Sequence, residues 1–123
     1  MAHEITLRRV GESGDPLARR VLVDRLWPRG VSRERADWQE WLKEVAPTTE
    51  LRKWYSHDPE RFEEFSRRYR AELRDDAHAP ALDRLRRLAA DGPLTLMTSA
   101  RAVDLSHLTV LRALLLADEP GAE

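Results

Sequence analysis

Apolar residues fall along this chain in two kinds of run, and the alternation between them predicts the architecture. Ile5 and Leu7 alternate with polar neighbours over residues 5–10, the period of a strand with one buried face. After a turn-rich stretch, Gly11 to Pro16, residues 20–24 carry Val21-Leu22-Val23 without polar alternation. That pattern suits a strand buried on both faces of a sheet. Trp27-Pro28-Arg29-Gly30 ends it, since proline cannot donate to the ladder and glycine permits a sharp turn. Leu94 to Ser99 reads as the third strand.

Helical periods fill most of what remains. Trp38, Trp41, Leu42 and Val45 stand at i, i+3, i+4 and i+7. They predict an amphipathic helix begun by Asp37, with Glu40 completing a capping box, and ended by Pro47. Thr48 caps a short second helix with Leu51, Trp54 and Tyr55, and His57 lies at its C-terminal end, where an imidazolium meets the negative end of the dipole. Asp58-Pro59 opens a third, cap then proline, whose face is Phe62, Phe65, Tyr69 and Leu73. Pro80 opens a fourth through Leu82, Leu85 and Leu88, closed by Asp91-Gly92-Pro93. Asp104 or Ser106 caps a last helix presenting Leu108, Leu111, Leu114 and Leu115. Strands separated by helices predict an α/β fold: a small, mostly parallel sheet of about three strands covered by four or five helices. One domain spans residues 1–123, with 117–123 expected to fray.

Composition narrows the function classes. A chain of 123 residues buries about two-thirds of its unfolded surface, enough for its own core. Its longest apolar run near the C-terminus, Ala113 to Ala117, falls far short of the roughly 20 residues that span a bilayer, so no membrane role is expected. The N-terminus shows no signal-peptide core, and a cytoplasmic address is the expectation. No cysteine is present, which removes disulfides, thiolate catalysis and thiolate metal sites. The four histidines share no metal-binding spacing, and neither glycine-rich nucleotide fingerprint occurs, so no metal and no cofactor are expected. The net charge of −1 argues against generic nucleic-acid binding. Lysine appears only at positions 43 and 53, and the remaining basic residues are arginine, suited to carboxylates and phosphates or simply to a GC-rich genome.

Candidate chemistry collects at two strand ends, where parallel sheets bind ligands. At the first, Arg25 and Arg29 flank a proline-fixed turn beside Asp24. This grouping suits an anion grip with Asp24 as base, or an internal pair that only locks the loop. Trp27 is a core residue or a stacking platform. At the second, Ser99 and Arg101 precede a helix start carrying Asp104, Ser106 and His107, where free amides, a cation and an acid/base group would meet an anion, or where Asp104 or Ser106 is only a cap and His107 a first-turn surface residue. His3 and His78 fall in expected loops. The run Arg67-Arg68-Tyr69-Arg70 sits among glutamates and reads as a solvated, salt-bridged face.

Three blocks then carry a resemblance. V-L-V-D-R-L-W-P-R-G at 21–30, W-L-K-E-V-A-P-T-T-E-L-R-K-W-Y at 41–55 and H-D-P-E-R-F-E-E-F-S-R-R-Y-R-A-E-L at 57–73 resemble the DUF488 family, in its short, YeaO-like branch. The resemblance implies a compact α/β sandwich. It also marks Asp24, Arg25, Pro28 and Arg29 as a signature, with Lys43, Glu50, Arg52, His57 and Asp58. Longer relatives carry cysteines where this chain has Thr98 and Ser106, so any cysteine-based chemistry suggested for them cannot operate here. The functional expectation is an enzyme or its relic acting on a small anionic substrate, nucleotide or phosphorylated. Asp24 and His107 would be catalytic, with Arg25, Trp27, Arg29, Lys43, Ser99 and Arg101 binding substrate. The rival is a non-catalytic module for nucleic acid or protein, and a homodimer is a further expectation.

Overall fold

Every strand of the sheet runs parallel to its neighbours, in the spatial order β1-β4-β2-β3. The computed structural model describes residues 4–117. Its strands are β1 (Ile5–Arg9), β2 (Arg19–Leu22), β3 (Glu40–Trp41) and β4 (Leu94–Thr98). The helices are α1 (Thr49–Tyr55), α2 (Phe62–Glu72), α3 (Ala79–Asp91) and α4 (His107–Ala117), with single 3-10 turns between them. The tail expected to fray lies, from residue 118, outside the described residues, as does His3.

The helix expected behind Asp37 does not form, and this corrects the strand count from three to four. Residues 40–41 instead pair with Val21 and Leu22, and Lys43–Val45 make one 3-10 turn. The outer edge of β2 decides the matter. Gln39 N donates to Arg20 O at 2.9 Å, Leu42 N donates to Leu22 O at 2.9 Å, and Arg20 N donates to the Gln39 side chain at 2.7 Å. A helix here would leave those backbone groups of β2 without partners, which costs more than a helical period gains. The apolar stripe is split accordingly. Leu42 and Val45 join the helix-side core, while Trp38 and Trp41 close around Trp27 on the other side of the sheet. Asp37 caps nothing; it pairs with Arg20 at 3.3 Å.

Register sorts the two faces. Leu7, Leu96 and Val21 share a row and belong to the large core built with Leu82, Leu85, Leu108 and Leu111 from the helices. Arg8, Met97, Leu22 and Trp41 share the adjacent, oppositely directed row. Leu22 and Met97 are as deeply buried as the helix-side residues. Irregular chain covers them: Arg20, on that same face, donates to Pro16 O, Ala18 O and Asp37 O, tying the segments before and after β2 across the sheet. The sandwich therefore has helices on one side and loops on the other.

Most caps stand where the sequence places them. Thr48 Oγ1 accepts from Leu51 N at 3.2 Å and Asp58 accepts from Glu60 N at 3.0 Å, with Pro59 next. Leu108 N donates to Ser106 Oγ, so Ser106 rather than Asp104 caps α4. α1 ends on Ser56 in the left-handed region (φ 46°), and exposed His57 (φ 56°) follows in the same region, its ring beside Tyr55. On α2, Arg67 and Arg68 both bond Glu64, holding its carboxyl down to about 2, as a salt-bridged face requires.

Candidate functional site

Because the strands are parallel, the segments following β2 and β4 leave the sheet side by side. Asp24, two residues beyond β2, reaches across to the end of β4. Its Oδ1 accepts from Thr98 Oγ1 at 2.7 Å, and its Oδ2 accepts from Ser99 N and Ser99 Oγ, both at 2.8 Å. An ionised carboxylate offers about four lone-pair sites, so these donors leave little of it open.

His107, at the start of α4, meets the same spot. Its Nε2 stands 2.9 Å from Val23 O and 3.5 Å from Asp24 Oδ1. A carbonyl can only accept, so Nε2 carries the proton and its hydrogen bond goes to the backbone rather than to Asp24. The ring packs edge-on against Tyr69, centroids 6.0 Å apart. Burial pushes the imidazole below its usual 6.5, with Asp24 and the Val23 carbonyl offsetting part of that. The sign follows directly. The unfolded chain takes up the proton first as pH falls, so stability should drop below about pH 6.5 and level off once folded His107 protonates. Its share of the slope is at most about 1.4 kcal/mol per pH unit. Denaturant melts from pH 8 to 5 should show this slope reduced in His107→Asn. An equal slope in both proteins would mean that His107 takes up its proton over the same pH range folded and unfolded.

The remaining sequence candidates separate into two groups. Arg25 turns away from Asp24, donating through Nη2 to Ala46 O at 2.8 Å and through Nε to Pro47 O at 3.2 Å. Trp27 donates its indole N–H to Val31 O at 2.6 Å and makes edge contacts with Trp38 and Trp41 at 5.1 and 5.4 Å, a packing position. Trp41 N–H in turn donates to Asp24 O at 2.7 Å. Lys43 is exposed, its ammonium 5.4 Å from the Trp41 ring. Arg29 and Arg101 are exposed and make no ion pair or hydrogen bond among the described residues. They lie on the segments after adjacent strands β2 and β4, at one end of the sheet.

A second constellation escapes sequence reading. The backbone from Val45 to Thr48 is gripped from all sides. Tyr69 OH donates to Val45 O at 2.5 Å, and Glu72 accepts from Thr48 N and Thr48 Oγ1 at 2.9 and 2.6 Å. His78, expected in an open loop, is instead almost fully buried, its Nδ1 2.7 Å from Asp75 and its Nε2 3.0 Å from Ala46 O. Arg25, Thr48, Asp75 and His78 line a cavity of about 280 Å³ beside this segment. Its members, from Arg25 to His78, are scattered along the chain; Asp75 just before His78 is the one local signal. Among the described residues no cluster of histidine and carboxylate groups could hold a metal ion, and no helix is long and apolar enough to cross a membrane.

The family profile described as the inactive DUF488-N3 subclade matches residues 4–120, and the chain belongs to the DUF488 family. Within it, an uncharacterised protein of Mycobacterium tuberculosis is 46% identical over 112 residues, covering 90% of this chain and 92% of that one. The uncharacterised YeaO of Escherichia coli K12 is 41% identical over 92 residues, covering 75% and 78%. No solved structure matches the chain.

Proposed function

We propose that this chain is a non-catalytic binding module that takes a small anionic ligand at the C-terminal ends of its parallel strands. One observation carries the reading. The groups able to move protons are tied, Asp24 by Thr98 and Ser99 and His107 by Val23 O, while cations on the neighbouring segments, Arg29 and Arg101, have no partner among the described residues. A base must present a free lone pair to the proton it abstracts, and three protein donors leave the Asp24 carboxylate little to present. The subclade's description as inactive points the same way. The Asp24 grouping then serves as a clasp between two strand ends, and the arginines supply recognition, since guanidinium groups hold phosphate and carboxylate through charge-assisted hydrogen bonds. A cytoplasmic setting, rich in phosphorylated metabolites, suits that role.

Calorimetric titration against a panel of nucleotides, sugar phosphates and dicarboxylates tests this. One class of anion should bind saturably and be recovered chemically unchanged. The double variant Arg29→Ala/Arg101→Ala should bind about tenfold more weakly or worse, the loss expected for charge-assisted hydrogen bonds. Absence of any binding, or turnover of the bound ligand, would overturn the proposal.

A further inference from the structure

The loop after β1 and the segment after β2 leave strands that β4 separates, yet they approach each other beyond the sheet and enclose a cleft of about 350 Å³. That volume is at the small end of the range that holds organic ligands. Gly11 and Gly30 stand on opposite walls, both at positive φ (96° and 75°), and nothing lies within 4 Å of where a Cβ would sit on either. Bare backbone therefore faces the open space, an arrangement that lets a ligand approach the main chain closely. Ser13 adds a hydroxyl to one wall, and the half-buried Trp38 adds an aromatic surface to the other.

Charge decides what the cleft would accept. Two carboxylates border it, and both are engaged: Glu12 accepts from Arg9 N at 2.7 Å, and Asp37 pairs with Arg20. Arg35 also borders it, and its guanidinium has no partner among the described residues. Behind the first wall, Arg8 lies packed against Gly14, where an added Cβ would sit 3.0 Å from Nε. That Nε is buried without an acceptor, a rare condition for a strong donor. Arg20 offsets Asp37 and Arg35 offsets the charge that Glu12 keeps, so the Arg8 guanidinium packed against Gly14 tips the local balance towards positive.

We infer that this cleft between residues 10–13 and 30–38 binds a small anion bearing a planar ring, of the nucleoside monophosphate class, with Arg35 on the phosphate and Trp38 against the base. The inference rests on the anion-binding reading above but places the ligand in this cleft, whose lining includes neither Asp24 nor His107. Aromatic side chains hold bases through their π-faces with little regard to sequence, and arginine holds phosphate through its planar fork. Neither residue belongs to the clasp, so both can be altered without opening it.

Tryptophan fluorescence and calorimetry on the full chain, titrated with purine and pyrimidine nucleoside monophosphates, test the inference. Saturable quenching is expected, with inorganic phosphate binding about tenfold more weakly or worse for want of the ring. Arg35→Ala should weaken nucleotide binding about tenfold without shifting the melting temperature, and Arg35→Lys should restore part of it. In Trp38→Phe the quench should shrink while calorimetry still registers binding. Phosphate binding as tightly as the nucleotides, or Arg35→Ala binding normally, overturns the cleft. Should anions bind through Arg29 and Arg101 while Arg35→Ala changes nothing, the cleft fails and the rim reading stands. If no anion binds at all, both fail.

Discussion

Replacing Asp24 by alanine is expected to destabilise the fold by about 2–4 kcal/mol, because the hydroxyl of Thr98, almost fully buried, loses its acceptor and Ser99 loses two hydrogen bonds. Ser99 is exposed and water can replace part of its loss, so Thr98 carries most of the cost. Asparagine should be milder, about 1 kcal/mol. Its amide NH2 can face the Thr98 oxygen, which accepts as well as donates, while its carbonyl stays on Ser99. Urea denaturation of the two variants would read the difference as a shift in midpoint at unchanged slope. A loss below about 1 kcal/mol in Asp24→Ala would mean that the grouping is not a clasp, and it would reopen Asp24 as a working base.

Tyr69→Ala should cost more, about 3–5 kcal/mol, the range for truncating a buried aromatic. Tyr69 is fully buried, stacks on Phe65 at 5.8 Å, meets the His107 ring edge-on and bonds Val45 O. It joins α2 to both the strand-end clasp and the gripped segment 45–48. Burial raises its hydroxyl well above the ordinary tyrosine value, so it remains protonated and donating across the accessible pH range. Tyr69→Phe isolates the hydroxyl, with an expected cost of about 1–2 kcal/mol for the orphaned carbonyl. Thermal melts of the pair would separate packing from hydrogen bonding. Near-equal losses would show that the ring contributes little, contrary to its position.

Much of the fold is legible because its signals are local. Thr48, Asp58-Pro59 and Pro80 satisfy or tolerate backbone groups within one turn, so their helices start where the residues say. Leu94 to Met97 is apolar or β-branched throughout, and β4 lies in the middle of the sheet with both faces covered. The segment 38–45 misleads because its apolar spacing fits a helix while its residues serve two different surfaces. Nothing local records that the edge of β2 needs a partner there.

The site divides in the same way. Asp24, Ser99 and His107 are identifiable as strand-end and helix-start residues, and parallel pairing of β2 and β4 brings them into contact. Sequence could not tell that Arg25 would turn from Asp24 to the carbonyls of residues 46 and 47, which lie more than twenty positions away. Nor could it reveal His78 as a buried member of that second cluster, since its partner Ala46 is 32 residues away.

Hydrophobic period, capping and motif are written within a few consecutive residues, so the class of fold, the family and every helix start but the one expected at Asp37 could be read from them. Tertiary structure alone decided that residues 40–41 are a strand, that loops rather than helices cover one face, and that Asp24 is held rather than free. Those outcomes depend on which distant donors and acceptors satisfy each other once the backbone is buried, and no local pattern encodes that choice.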